Sequence, residues 1–442
     1  MTWNNDALAD LVREDRVDRR VYTDPDIFRM EMERIFHKTW IYLGHESQVR
    51  NPGDYFTTHI ATNRLIVARH TDGRIHAFHN RCTHRGAEVC PNPEGHTREF
   101  ICPYHAWTFS TDGSLTAIPL AQGYREDILA RQGEFGLEKL ARLSSYRGFI
   151  FGSMAKEGVD LEIFLPPEVR EAFDNMIARA PDGEIELAGG RTIQRFRANW
   201  KMQIENSIDL LHPRILHRNA VESIGDEIPI GPDGLPIPDV DFHKSNGVPM
   251  KNWIEAKIEA LPGGHCWMGG FLPKVDPKLG FGSDDRMRFR QQDEYKALLV
   301  ARHGAEKTED ILNFNRHNTI VYPNLFVNPR LQQVRFLNPV AVNVTEQHGF
   351  VFRYKGAPEP MFQTAIRLLM AANSPASIVT TDDHEVFERM QETLESGSRP
   401  WVDWSRGYGQ EWKTQGGLTG EGTSEVMMRN QFREWAHRMV GA

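Results

Sequence analysis

Cys82-Thr83-His84-Arg85-Gly86 and Cys102-Pro103-Tyr104-His105-Ala106-Trp107 decide how this chain is read. Each run joins one thiol to one imidazole, C-x-H in the first and C-x-x-H in the second, so together they offer four ligands to one compact site. Two kinds of metal centre accept that set. A structural zinc takes all four tetrahedrally, whereas a mixed-ligand [2Fe-2S] cluster puts two thiolates on one iron and two imidazoles on the other. Zinc sites commonly begin with two cysteines close together; here each arm brings one ligand of each kind, which suits a cluster bound by both arms. The surroundings read as β-structure. Leu65-Ile66-Val67-Ala68 and Ile75-His76-Ala77-Phe78 flank Asp72-Gly73, and Trp107-Thr108-Phe109 precedes Asp112-Gly113, both hairpin patterns that would place the ligands on successive tips. Cys90 and Cys266 have no partner at such spacing and read as small buried residues.

Composition sets the limits around this core. The 442 residues are 40% hydrophobic and 25% charged with 36 Gly and 25 Pro, which excludes collagen-like, disordered and coiled-coil chains. A net charge of −8, from 52 Lys+Arg against 60 Asp+Glu, argues against nucleic-acid or anionic-membrane binding as the main activity. Four cysteines are too few for a secreted disulfide scaffold, which makes metal binding the first role to consider. The opening MTWNNDALADLVREDR lacks the apolar centre of a signal peptide, and no run approaches the ~18 apolar residues of a spanning helix. A cytoplasmic protein without a membrane partner is expected.

Along the chain, Ile27, Met30, Ile35 and Phe36 predict an amphipathic helix over 26–38. From Trp40 the pattern is β until Phe149-Ile150-Phe151, which reads as a closing strand, and a boundary is placed near 155. Pro166-Pro167 opens a helix carrying Val169, Phe173, Met176 and Ile177. Beyond it, strands over 192–197, 333–336 and 350–354 alternate with helices over 200–211, 361–372 and 383–396, an α+β pattern. Residues 227–250, rich in Pro, Gly and Asp, read as a long loop that could cover a site. Residues 416–422 read as a flexible strap before a short C-terminal helix.

A second set of ligands lies in this later part. In the run from Asn199 to His217, Asp209 and His212 stand three apart and would share a helical face. Five residues further on, an uninterrupted helix would turn His217 away by about 140°. Pro213 offers a way out, because its ring would break the helix just after His212 and let the backbone redirect His217. Two imidazoles need one carboxylate to form a facial triad for non-heme iron. Thr380-Thr381-Asp382-Asp383 opens a predicted helix in which Asp383 shares the inward face of Val386 and Phe387, while Asp382 is the more natural N-cap; both acids as mere caps is the competing reading.

The pieces around the first four ligands resemble the C-x-H-R-G and C-x-Y-H-G-W boxes of Rieske non-heme iron oxygenases, with Ala106 where that family usually has Gly. The run N-W-K, E-N, D, H and H over Asn199–His217 is similar to the catalytic-domain motif of the same family, and Asp382-Asp383 with Glu388 resembles its distal carboxylate segment. The likeness covers nearly the whole chain in the expected order. It implies a helical segment over 1–39 packing on the catalytic domain, an all-β Rieske [2Fe-2S] domain over 40–155, and an α+β catalytic domain over 156–442 with a central antiparallel sheet flanked by helices. By the same resemblance, Cys82, His84, Cys102 and His105 hold one cluster per subunit, and His212, His217 and Asp383 hold one mononuclear Fe(II). Asp209 becomes the acid between cluster and iron, and Asn206 a residue of the iron pocket. Leu211 stands where the family usually carries Tyr.

The activity so implied is that of a terminal oxygenase α subunit. It would use O2 to hydroxylate or cis-dihydroxylate an aromatic substrate, with aromatic acids such as benzoate, salicylate or terephthalate favoured. Demethylation at O or N by an α-only trimer, and dioxygenation of apolar polycyclic hydrocarbons, are the alternatives. No Gly-x-Gly-x-x-Gly follows a strand, so electrons are expected from a separate NAD(P)H-dependent flavin reductase, directly or through a ferredoxin. The family's head-to-tail trimers would set Asp209 between His212 and His105 of another subunit. The C-terminal run from Thr423 to Trp435 resembles α subunits that pair with a small β subunit, so α3 and α3β3 assemblies are both expected. Arg335, on a predicted strand, is a candidate to face a substrate carboxylate, against a bland reading as a solvated or structural arginine.

Overall fold

The computed structural model describes residues 3–223, 250–269, 292–314, 316–329 and 331–441. They divide into two compact units, one of residues 36–164 and one of residues 1–35 with 165–442, so the smaller is an insertion in the chain of the larger.

The smaller unit is built mainly of antiparallel strands in three sheets. Asn63–Arg69 pairs with Ile75–His79 across the Asp72-Gly73 turn, where Asp72 Oδ1 accepts from Arg74 N–H at 2.8 Å and Gly73 takes φ +81°. An Asx turn followed by glycine is what a tight reversal requires. Thr108–Ser110 pairs in the same way with Leu115–Ala117. Phe149–Ser153 is the middle strand of its sheet, between Arg142–Tyr146 and Ile41–His45. Tyr55, Ile66, Phe78, Phe100, Trp107 and Phe109 form the core, with Cys82, Cys90 and Cys102 buried at its edge.

The larger unit carries a nine-stranded antiparallel sheet. Its order runs Ile185–Phe196, Val344–Tyr354, Gln333–Ala341, Leu325–Asn328, Arg316–Val321, Cys266–Gly269, Lys257–Ala260, Leu418–Glu421 and Trp412–Lys413. Register places Thr192, Gln194, Gln333, Arg335, Gln347 and Gly349 on one face, since Gln194 is opposite Gln347, Thr192 opposite Gly349, and Arg335 opposite Gly349. A Cβ at Gly349 would stand 2.6 Å from Thr192 Oγ1, so the close approach there needs glycine. Helix Glu359–Asn373 and helix Ile378–Glu395 follow the sheet's long hairpin. Together with the all-β unit, this is the α+β architecture expected.

Several local expectations change. The predicted helix over 26–38 is an α-helix, Pro25–Glu31, capped by Asp24 and continued by a π-helical turn at Met32–Phe36. The stretch 416–422 is no strap: Leu418–Glu421 pairs with Lys257–Ala260, and a Cβ on Gly417 would lie 2.0 Å from the Ala260 carbonyl oxygen, so this glycine serves close packing. The C-terminal helix is long, Val426–Val440, and buries Met427, Phe432, Trp435 and Met439. The expected loop over 227–250 lies outside the described residues except for Met250, which opens the short helix Met250–Trp253. Among the described residues no helix is long and apolar enough to cross a membrane.

Candidate metal centres

His212, His217 and Asp383 each bring one donor atom within 4.8 Å of the others. The chain reaches this arrangement by a route other than a single broken helix. Asn199 caps helix Trp200–Asn206 by accepting from Lys201 N–H, and that helix ends at Asn206, six residues before the predicted break after His212. Asp209 then lies in the non-helical link, where its Oδ1 accepts from Leu211 N–H at 2.6 Å and His212 N–H at 3.3 Å. A new five-residue helix, His212–Leu216, begins there. Pro213 is in its first turn, where the missing N–H is no loss, so the proline starts a helix and does not stop one. His217 closes that helix, and the two imidazoles face one another with ring centroids 5.4 Å apart at 82°.

The carboxylate comes from helix Ile378–Glu395. Ser377, not Asp382, is its N-cap, accepting from Val379 and Thr380 N–H at 3.1 and 3.3 Å. The two acids therefore lie inside the helix, and the reading of both as caps is set aside. Asp383 is buried like Phe387, as the shared inward face requires. Its Oδ1 lies 3.6 Å from His212 Nε2 and 3.4 Å from His217 Nε2, while Asp382 Oδ2 lies 3.5 Å from His217 Nδ1. Donors about 2.1 Å from a shared ion stand roughly 3.0–3.5 Å apart, so this set suits a single mononuclear metal. Asn206 Nδ2 donates to Asp383 Oδ1 at 3.0 Å and stands 3.1 Å from His212 Nε2.

The electrostatics are those of a site prepared for a cation. Burial drives the Asp383 pKa up to about 6, with His212 and the Asn206 hydrogen bond opposing it. Burial also works against a charge on His212, yet Asp209 and Asp383 together hold its imidazole above the ordinary value. Asp209 moves the other way: burial would raise it, but His212 and two backbone N–H groups keep it below the usual carboxylate range. Asp209 Oδ2 is 3.8 Å from His212 Nδ1, an ion-pair separation longer than a hydrogen bond.

These donors open on a cavity of about 130 Å³ that also takes in Arg335, Gln347, Asn373, Asn318, Trp253 and Met268. Arg335 is 9% exposed and neither solvated nor on the surface. Sequence reasoning missed the amides of this wall. The signal available was period-two polarity at Gln333 and Arg335 inside an otherwise apolar strand, which marks a polar inward face.

In the smaller unit the two Cys-His runs fold into matching loops. Cys82 N–H is accepted by the Ala87 carbonyl and Gly86 N–H by the Cys82 carbonyl; Cys102 N–H by the Trp107 carbonyl and Ala106 N–H by the Cys102 carbonyl. Gly86 and Ala106 occupy equivalent positions, at φ +79° and +54°. Ala in place of the usual Gly therefore costs backbone strain at a left-handed position. Cys82 and Cys102 are 2% exposed, and burial together with the adjacent Cys102 sulfur pushes the Cys82 thiol up. The His84 and His105 rings are 4.7 Å apart, and His84 stacks on Trp107. The Nδ1 atoms of both histidines are buried without a hydrogen-bond partner. Two buried thiols and two orphaned imidazole nitrogens fit a cluster.

Comparison with known proteins agrees with this division. Residues 39–132 match the Rieske [2Fe-2S] domain, and residues 177–442 match the ring hydroxylating alpha subunit catalytic domain. The chain is 31% identical to the anthranilate 1,2-dioxygenase large subunit of Acinetobacter baylyi, over 95% of this chain and 88% of that protein. It is 32% identical to the 2-halobenzoate 1,2-dioxygenase large subunit of Burkholderia cepacia, over 89% and 80%. Among solved structures, naphthalene 1,2-dioxygenase superposes with a TM-score of 0.79 at 21% identity, covering 99% of this chain and 96% of that one. A quaternary ammonium Rieske monooxygenase reaches 0.65 at 19% identity, over 99% of both chains. At these identities the structural likeness speaks to fold alone.

Proposed function

The chain belongs to the Rieske ring-hydroxylating dioxygenase alpha subunits, oxidoreductases with a [2Fe-2S] cluster and a mononuclear iron, and on that premise we propose that it hydroxylates or cis-dihydroxylates an aromatic acid. The observation that carries the proposal is the meeting of His212, His217 and Asp383 on a cavity whose wall is rich in amides and holds a buried arginine. The relatives named for anthranilate, 2-halobenzoate and toluate support the aromatic-acid reading, in the benzoate, salicylate or terephthalate class.

In this proposal His212, His217 and Asp383 hold the iron, and Cys82, His84, Cys102 and His105 hold the cluster. When bound, the iron supplies O2 activation and the cluster supplies electrons one at a time. Asp209, whose carboxylate lies beside His212 Nδ1, bears on that ring by its charge and is the residue offered to a second copy of the chain in a homotrimer. Asn206 steadies the Asp383 carboxylate by its hydrogen bond. Electrons come from an NAD(P)H-dependent flavin reductase, with or without a ferredoxin, and a small β subunit completes an α3β3 assembly.

The test is O2 uptake by iron-replete protein with a surrogate reductase over a panel of aromatic acids, hydrocarbons and methyl ethers. Substrate-dependent uptake with aromatic acids, yielding a cis-diol or phenol, is expected. Turnover confined to hydrocarbons, or a demethylated product, would refute the proposal.

A further inference from the structure

Arg335 lies on the third strand of the nine-stranded sheet, with hydrogen-bonded neighbours on both sides. Opposite it on one side is Gly349, which leaves room above the sheet for the arginine stem. On the other side is Phe326, whose ring lies 5.4 Å from the guanidinium carbon. Nη1 donates to Asn373 Oδ1 at 3.0 Å. Asn373 Nδ2 in turn donates to Gln333 Oε1 at 2.9 Å, and the Asn373 carbonyl accepts from Gln194 Nε2. The last residue of helix Glu359–Asn373 is thus tied to two strands and holds the guanidinium at a set angle toward the cavity.

What this cation lacks is an anion. It makes no ion pair among the described residues, and its neighbours are an amide, an aromatic ring and the cavity. The nearest negative influence is Asp383, beyond ion-pair distance and already one of the three metal donors. Taking a guanidinium out of water without a counter-charge is unfavourable, so the arrangement is one that an anionic ligand completes. On the same face, Gln347 is 2% exposed, lines the cavity, and has an Oε1 with no hydrogen-bond partner. Burial lowers the Arg335 pKa only to about 10, so the group is charged at neutral pH.

We infer that Arg335 is the counter-charge for the substrate's carboxylate, that Asn373 and Gln333 position it, and that Gln347 Oε1 accepts from a hydroxyl or amino donor elsewhere on the same ligand. The inference rests on the aromatic-acid function proposed above. It makes the anchoring end of the substrate anionic and leaves the ring directed toward the iron site.

The experiment compares wild type, Arg335→Gln and Arg335→Lys as iron-replete holoprotein. Dissociation constants for an aromatic acid oxidised by wild type, and for its uncharged amide, are measured by calorimetry, alongside KM and kcat from O2 uptake. Losing a charge-assisted pair should raise Kd and KM for the acid at least about 10-fold in Arg335→Gln, with kcat at saturation changed far less. The amide should bind the two proteins within about threefold of one another, and Arg335→Lys should recover part of the acid affinity. A merely structural arginine would weaken acid and amide equally in Arg335→Gln, and that result overturns the inference. Wild type that oxidises aromatic acids while Arg335→Gln binds them as tightly refutes the arginine alone, whereas wild type that oxidises no aromatic acid refutes the function on which the inference rests.

Discussion

Replacing Lys201 by Met should destabilise the larger unit by about 3–5 kcal/mol, and the surroundings of its partner explain why. Lys201 Nζ donates to Glu31 Oε1 at 2.6 Å with both side chains fully buried. Glu31 also accepts from Trp200 Nε1 at 2.9 Å and Trp435 Nε1 at 2.6 Å. One carboxylate thus joins helices Pro25–Glu31, Trp200–Asn206 and Val426–Val440. Lys201→Met leaves a buried carboxylate with two indole donors and no cation. Glu31→Gln in the wild-type background leaves the opposite fault, a buried ammonium without its hydrogen-bonded carboxylate, and should cost a similar amount. Combined with Lys201→Met, however, Glu31→Gln removes the unpaired charge while its amide oxygen still accepts from the indoles, so the same substitution should then stabilise by about 2 kcal/mol or more. Urea unfolding followed by circular dichroism, at fixed iron loading and with cluster absorption recorded separately, measures all four corners of the cycle. A cost below about 1 kcal/mol for Lys201→Met, or a Glu31→Gln effect of the same sign in both backgrounds, would refute the reasoning.

Other outcomes follow from the sites. His212→Ala and Asp383→Ala should drop iron content to well under one non-cluster iron per chain while leaving the cluster's visible absorption intact; loss of the cluster as well would mean the donors are wrongly divided. Ala106→Gly should relieve roughly 1 kcal/mol of left-handed strain and slow thermal bleaching of the cluster by about fivefold, which timed absorption scans would detect. Glu205, which accepts from Tyr22 Oη at 2.9 Å, is pushed by burial from 4.5 to about 8. The folded chain then holds a proton that the unfolded chain releases above pH 4.5, so this group's contribution is full below that value and falls as pH rises toward 8, by up to about 1.4 kcal/mol per pH unit. Glu205→Gln should flatten the stability profile in that window, and an unchanged slope would count against a protonated Glu205. Ser377→Ala removes the cap of the helix bearing Asp383 and should cost about 1 kcal/mol by denaturant midpoint.

Much of both sites was legible along the chain because their ligands lie close together in it. C-x-x-H sits on the hairpin loop between Glu99–Ile101 and Thr108–Ser110, whereas C-x-H lies on a loop between two strands that do not pair, not on the hairpin tip expected; His212 and His217 flank one short helix, so local spacing already places them. The manner of that placement was less legible. Pro213 is equally at home after a helix or at the start of one, and here Asp209, which accepts from Leu211 and His212 N–H, holds the link from which the helix at His212 starts. Asp382 looked like a cap only because Ser377, a better one, lies a turn earlier, and the difference depends on where the preceding helix stops.

The amino-acid sequence on its own offered the candidate donors, two thiols and two imidazoles for one centre and two imidazoles and a carboxylate for the other, in an α+β chain. Only the tertiary structure brought the Asp383 carboxylate within reach of both histidines and placed Arg335, Asn373 and Gln347 in their cavity. Residues on neighbouring strands are brought together by sheet register, which sums hydrogen bonds and packing over segments far apart in the chain. No local spacing encodes that sum.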